Sequence, residues 1–148
     1  MEKYRQSIEN TALVWEQMGL SPVSSRVLAY IMYAPHYSAT FEDLTDYFNV
    51  SKSAISNAIK YLTLVQMVGS RTKGGQRKRY FGMELSHLIE SEDVLKKYKM
   101  LNTVFQIAIK ERKKNDELCR DLKNMTIFFD MLIKEFPLLV KKWKEEIQ

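Results

Sequence analysis

Cysteine occurs once in this sequence, at Cys119, so no internal disulfide can form. A reducing, cytoplasmic setting is the expectation for such a chain. Only three prolines and five glycines interrupt 148 residues, which predicts a helix-rich fold. Histidine occurs twice, and His36 and His87 stand far apart with no metal-ligand spacing around them, so neither a metal site nor a cofactor is expected. No GxxxxGK[ST] phosphate loop and no GxSxG elbow is present. Glu42 and Asp43 are adjacent, so on a helix they point apart and form no catalytic pair. An enzyme is therefore not expected. No apolar run approaches the roughly 20 residues that a membrane span needs. The charged start MEKYRQSIEN carries no apolar core of a signal peptide.

What is present is a core-forming composition, 45% hydrophobic and 28% charged, as in soluble globular domains. The net charge of +5 is concentrated in one place. Residues 1–50 hold three basic against six acidic side chains, a balance of −3. Residues 51–85 hold seven basic side chains (Lys52, Lys60, Arg71, Lys73, Arg77, Lys78, Arg79) against Glu84 alone, a balance of +6. A basic segment inside a compact domain is the electrostatic footprint of a nucleic-acid binder.

The apolar spacing predicts a helix over 2–18, with Tyr4, Ile8, Ala12 and Trp15 on one side and Gly19 as its stop. Ser21-Pro22 opens a second helix as N-cap and first residue, and Pro35 ends it. Thr40 caps a third, with Glu42 and Asp43 in its first turn and Phe41, Leu44 and Phe48 facing inward. Ser51 caps a fourth, whose apolar face is Ala54, Ile55, Ala58, Ile59 and Leu62. The short helix, the turn and the longer helix form a helix-turn-helix. The other face of the fourth helix carries Lys52, Ser53, Ser56, Asn57 and Lys60. No acid occurs from residue 51 to residue 83, and these side chains can bond phosphates and base edges.

Two strand-like runs, MVGSRT and RKRYFGM, follow, joined by KGGQ. Gly74-Gly75 supplies the positive φ of a tight hairpin. A hairpin directly after a helix-turn-helix is a wing, and its basic tip suits phosphate or the minor groove. The candidate DNA-binding residues are thus Ser51, Lys52, Ser53, Ser56, Asn57, Lys60, Arg71, Lys73, Arg77, Lys78 and Arg79. From residue 86 onward the pattern is helical, with a polar break at 111–116. Leu118, Leu122, Met125, Phe129, Leu132 and Phe136 then form an a/d seam, and Pro137 is expected to start a last short helix. Pairing with a second chain is the simplest way to bury so much apolar surface.

The expected architecture is mainly α with a small β wing. Residues 1–20 form an N-terminal dimerisation helix, 21–85 a winged helix-turn-helix domain that binds DNA, and 86–148 a C-terminal helical dimerisation region. With GLSPVSSRVLAYIMYAP, FEDLTDYFNVSKSAISNAIKYL and VGSRTKGGQRKRYF in place, the chain resembles the MarR superfamily of bacterial regulators, and its GbsR-type branch most closely. The resemblance covers roughly residues 19–85. It implies a homodimeric winged-helix repressor on a pseudo-palindromic operator of double-stranded DNA, modulated by a small-molecule effector. Members of the family usually carry an acid beside the wing arginine; here Gln76 precedes Arg77. Trp15, Tyr30 and Tyr33, with Tyr37 nearby, are candidate effector-binding aromatics by cation–π attraction; arm-to-domain packing is the plainer use of such residues. Two other functions are compatible with a winged helix, a protein-interaction scaffold and an RNA binder without operator specificity. The acid-free Ser/Asn/Lys face beside a basic wing favours duplex DNA over both.

Overall fold

The structure, a computed structural model, describes residues 1–72, 78–85, 89, 91–112 and 116–147. The chain forms two compact units, Met1–Leu85 and Ser86–Gln148.

The first unit begins with a short 3-10 turn and helix α1, Arg5–Gln17. Gly19, at φ 96°, closes α1: the Leu20 amide donates to the Trp15 carbonyl and the Gly19 amide to Glu16, the paired bonds of a Schellman stop. Helix α2, Pro22–Tyr33, starts where expected, with the Ser21 hydroxyl accepting from the Ser24 amide at 3.2 Å. Strand β1, Ser38–Thr40, then leads into helix α3, Phe41–Phe48. Thr40 both ends the strand and caps the helix. Its hydroxyl accepts from the Asp43 amide (3.1 Å), and the Asp43 carboxylate accepts from the Thr40 amide (2.8 Å), a reciprocal capping box. Asn49, left-handed at φ 49°, turns the chain into helix α4, Lys52–Leu64, which Ser51 caps. Gln66, at φ 61°, ends α4 in the same manner as Gly19 ends α1. Strands β2, Val68–Thr72, and β3, Arg79–Met83, complete an antiparallel sheet in the order β1-β3-β2. The fold is mainly α with a small sheet, a winged helix.

The wing was expected as two strands and the sheet has three. Residues 38–40 are too few to show an alternating pattern, and their pairing with β3, Ala39 against Phe81, is a long-range contact. Ile8, Leu28, Ile31, Leu44, Ile55 and Leu62 are fully buried in one core, joined by Val68 and Phe81 from the sheet. Each such side chain contributes about 1.5–3 kcal/mol by its removal from water. Because Ile8 and Ala12 are fully buried there too, the inner face of α1 belongs to this unit. Arg26 of α2 ties the two helices further, reaching Glu9 at 2.9 Å and Glu16 at 3.0 Å. The outer face of α1 leaves Leu13, Val14 and Met18 exposed.

The second unit is an antiparallel pair, α5 over Ser91–Glu111 and α6 over Glu117–Glu146. Phe129 of α6 is buried between Tyr98 and Phe105 of α5, each 5.8 Å from it between ring centroids. Tyr98 also meets Phe136 edge-on. The seam anticipated for a second chain is therefore largely used within this pair. Buried Asn102 donates to Asp130 at 2.7 Å. Pro137 starts no new helix: α6 runs through it without a break. The apolar pattern on both sides of Pro137 is continuous with the buried seam, and packing on α5 outweighs the one backbone hydrogen bond that proline removes. The outward sides of the pair remain apolar, with Met100, Val104 and Ile107 exposed on α5 and Ile127, Phe128, Met131, Leu138 and Leu139 exposed on α6.

Candidate nucleic-acid interface

Helix α4 presents the expected polar face because its other side is locked into the core. Ile55, Ala58, Ile59 and Leu62 are buried, and α4 packs against α2. That orientation leaves Lys52, Ser53, Asn57 and Lys60 exposed and Ser56 half-buried. Ser51 satisfies the helix start by accepting from the Ala54 amide at 3.2 Å, and its hydroxyl lies 3.0 Å from that of Ser53. Ser53, Asn57, Lys60 and Leu64 follow one another at steps of four, three and four, so they share a line along the helix. Leu64 is 80% exposed and Tyr61 43% exposed. Neither was among the candidates, although the spacing from Asn57 carries the signal. An open groove of about 520 Å³ runs between Asn57 and Tyr61 on one side and Ser21 and Val23 at the start of α2 on the other.

The wing lies next along the chain. Lys78 and Arg79 are exposed, as is Arg71 on β2, where the register sets Arg71 opposite Tyr80. Lys73 and Arg77, together with Gly74, Gly75 and Gln76, lie outside the described residues. The charges divide sharply by location. In the rest of this unit Arg5 is bound by Glu2, Arg26 by Glu9 and Glu16, and Lys3 lies over the Tyr4 ring. By contrast Lys52, Lys60, Lys78 and Arg79 form no ion pair among the described residues. Arg71 is the exception, its Nη2 3.1 Å from Glu84 Oε1. Cations with no ion pair among the described residues are what a polyanion can bind without first breaking internal pairs.

The aromatic candidates are placed differently from one another. Tyr30 is buried, its ring 4.8 Å from Tyr47 and 5.7 Å from Phe48, and burial pushes its hydroxyl pKa up. Tyr33 packs on Tyr4 and shares a 3.1 Å hydrogen bond with Thr11. Trp15 is half-buried against the core, and its indole N–H has no hydrogen-bond partner among the described residues. Tyr30 and Tyr33 thus stack in separate clusters. Tyr37 is 69% exposed. Among the described residues no cluster of His, Cys, Asp or Glu could hold a metal ion, and no helix is long and apolar enough to cross a membrane. Cys119 is buried near the start of α6.

The fold is similar over nearly its whole length to a solved structure described as a transcriptional regulator. That likeness covers 97% of this chain and 99% of the other, with a TM-score of 0.82 at 14% identity. Two structures of the adhesin competence repressor AdcR from Streptococcus pyogenes also match. One is 25% identical over 90% of this chain and 98% of its own, with a TM-score of 0.42. The other, carrying a C-terminal His tag, is 28% identical over 88% and 96%, with a TM-score of 0.41. No curated protein matches significantly. Residues 18–77, which hold α2, the helix-turn-helix and the first wing strand, match the model of the MarR family.

Proposed function

We propose that the protein is a sequence-specific DNA-binding transcriptional regulator, a homodimer that represses from a pseudo-palindromic operator. The observation that carries this reading is the face of α4: Lys52, Ser53, Asn57 and Lys60 stand exposed on a helix that contains no acid, and Lys52, Lys60, Lys78 and Arg79 form no ion pair among the described residues. Within this reading α4 enters the major groove and the wing lies along the backbone. The unit Met1–Leu85 supplies the DNA contacts through residues 21–85. The outer face of α1 and the outward apolar sides of α5 and α6 supply the contact with a second copy. Resemblance to the GbsR-type branch of the MarR superfamily supports repression and control by a small molecule. Trp15, Tyr30 and Tyr33 are the candidate effector contacts. The protein acts in the cytoplasm and catalyses no reaction.

Selection of bound fragments from random duplex DNA tests the reading. One enriched, roughly two-fold symmetric site is expected. Two copies of helix and wing neutralising on the order of 6–10 phosphates would lose about 10³–10⁵ in affinity between 50 and 200 mM salt. No enriched sequence, together with a flat salt dependence, would argue for the scaffold reading. Preference for single-stranded or duplex RNA would argue for the RNA reading.

A further inference from the structure

A half-buried acid sits against the wing, and fold stability gives little reason for it. Glu84 follows β3, and its amide donates to the Met67 carbonyl at 3.1 Å. Its side chain is 23% exposed and lies over Gly69 of β2, where Oε1 accepts from Arg71 Nη2 at 3.1 Å. A Cβ at residue 69 would stand 2.7 Å from Glu84 Cγ and 2.8 Å from its carboxyl carbon, so glycine leaves the room the acid occupies. Register pairs Gly69 with Gly82 and Arg71 with Tyr80, which sets these four on the solvent face, opposite buried Val68 and Phe81. Arg71, Tyr80 and Gly82 line a shallow trough of about 400 Å³ on that face.

A glycine inside a strand weakens it, and an acid drawn partly out of water is disfavoured. The ion pair returns little, because Arg71 is 72% exposed and screened by solvent. What the arrangement does achieve is direction. A free arginine samples many rotamers, whereas one edge of this guanidinium is held by a carboxylate anchored through its own backbone. The remaining donors stay open to solvent and suit a phosphate.

We propose that Glu84 is a positioning residue for DNA binding, holding Arg71 so that its free edge meets a backbone phosphate beside the wing. The inference rests on the DNA-binding function proposed above and deepens it. Its sign separates it from simple electrostatics. Glu84→Gln removes a negative charge near the duplex, so the field alone would raise affinity. Positioning requires the reverse, a several-fold loss on every duplex, with a log–log salt slope shallower by about one unit.

The experiment measures affinity for a mixed-sequence duplex across a salt series, using wild type, Glu84→Gln, Arg71→Ala and the double variant, with thermal unfolding as a fold control. Both single variants should lose affinity and salt slope alike, and Glu84→Gln should cost nothing more once Arg71 is gone. Glu84→Gln binding as tightly as wild type, or more tightly, overturns the inference. If its unfolding midpoint drops, Gly69→Ala takes its place, since it displaces the carboxyl and leaves the net charge unchanged. The same loss is then expected, and unchanged binding by Gly69→Ala overturns the inference. Wild type failing to bind any duplex would strike the DNA-binding function itself, which keeps the two failures apart.

Discussion

Asn57 and Arg79 are both exposed and neither has an internal partner among the described residues, yet they are held differently. Asn57 stands on a 13-residue helix whose opposite side is fully packed. Its amide is presented rigidly, as base readout requires. Arg79 opens β3 at the end of the described wing, paired in register with Thr72, where a long side chain can follow a backbone phosphate. Asn57→Ala should therefore cost about 1–3 kcal/mol on the selected site and little on scrambled DNA. Arg79→Ala should weaken both duplexes alike and flatten the salt slope. Anisotropy titrations on the two duplexes check this, and an equal loss on both for Asn57→Ala would remove base reading from α4. The polar set on α4 was legible from spacing and the lack of acids. Its extension to Leu64 was not legible, because a large apolar side chain is assigned to a core until its exposure is seen.

At the level of elements, the two ends of α6 make different predictions. Its start is capped by Asp116, which accepts from the Cys119 amide at 2.9 Å and pairs with Arg112. The Arg112 hydrogen bond first, and the Cys119 amide second, hold the Asp116 carboxyl below its ordinary value of 3.8. A lowered folded pKa means that the cap's contribution is complete above the unfolded value and is lost as pH falls through the lower, folded one. Urea unfolding of wild type and Asp116→Asn should show a constant difference from neutral pH down to about pH 4 that shrinks below it. A difference independent of pH would mean that the ionised carboxylate is not the capping group. Further along, Pro137 leaves the Ile133 carbonyl without its helical donor. Pro137→Ala should raise the stability of the second unit by about 1–3 kcal/mol, seen as a higher denaturant midpoint. An unchanged or lower midpoint would show that the fixed φ of proline matters more there than the missing bond.

For the whole molecule, the informative quantity is how much apolar surface is left after each unit has packed. Leu122, Leu132 and Phe136 are partly buried in the second unit, whereas Ile127 is 61% and Met131 59% exposed. Sedimentation at micromolar concentration should find two chains. Met131→Lys should weaken that dimer on the order of tenfold or more while leaving the unfolding of the isolated chain little changed. Leu122→Lys should instead disrupt the helix pair itself, because its side chain belongs to the internal seam. A dimer indifferent to Met131→Lys would place the contact elsewhere, with exposed Leu13 and Val14 of α1 the next surface to vary. A symmetric dimer on DNA further requires half-sites about 34–36 Å apart along the duplex.

Local chemistry made much of this protein legible before any coordinates. The caps at Ser21, Thr40 and Ser51, the stop at Gly19 and the helix-turn-helix depend on residues a few positions apart. Neighbouring side chains decide such features through hydrogen bonds and φ preferences that recur in any context. Tertiary structure decided the features that need distant partners. Strand β1 exists because Ala39 meets Phe81, and α6 runs through Pro137 because its seam has α5 to pack on. That same packing directs Leu122, Phe129, Leu132 and Phe136 of the a/d seam inward and leaves Leu118, Met125 and other apolar residues exposed. Arg71 counts as one more wing cation in the sequence, and only the ladder that brings Glu84 across Gly69 shows it to be held. Spacing along a chain records which residues share a face, but what that face meets is set by contacts between segments far apart in sequence.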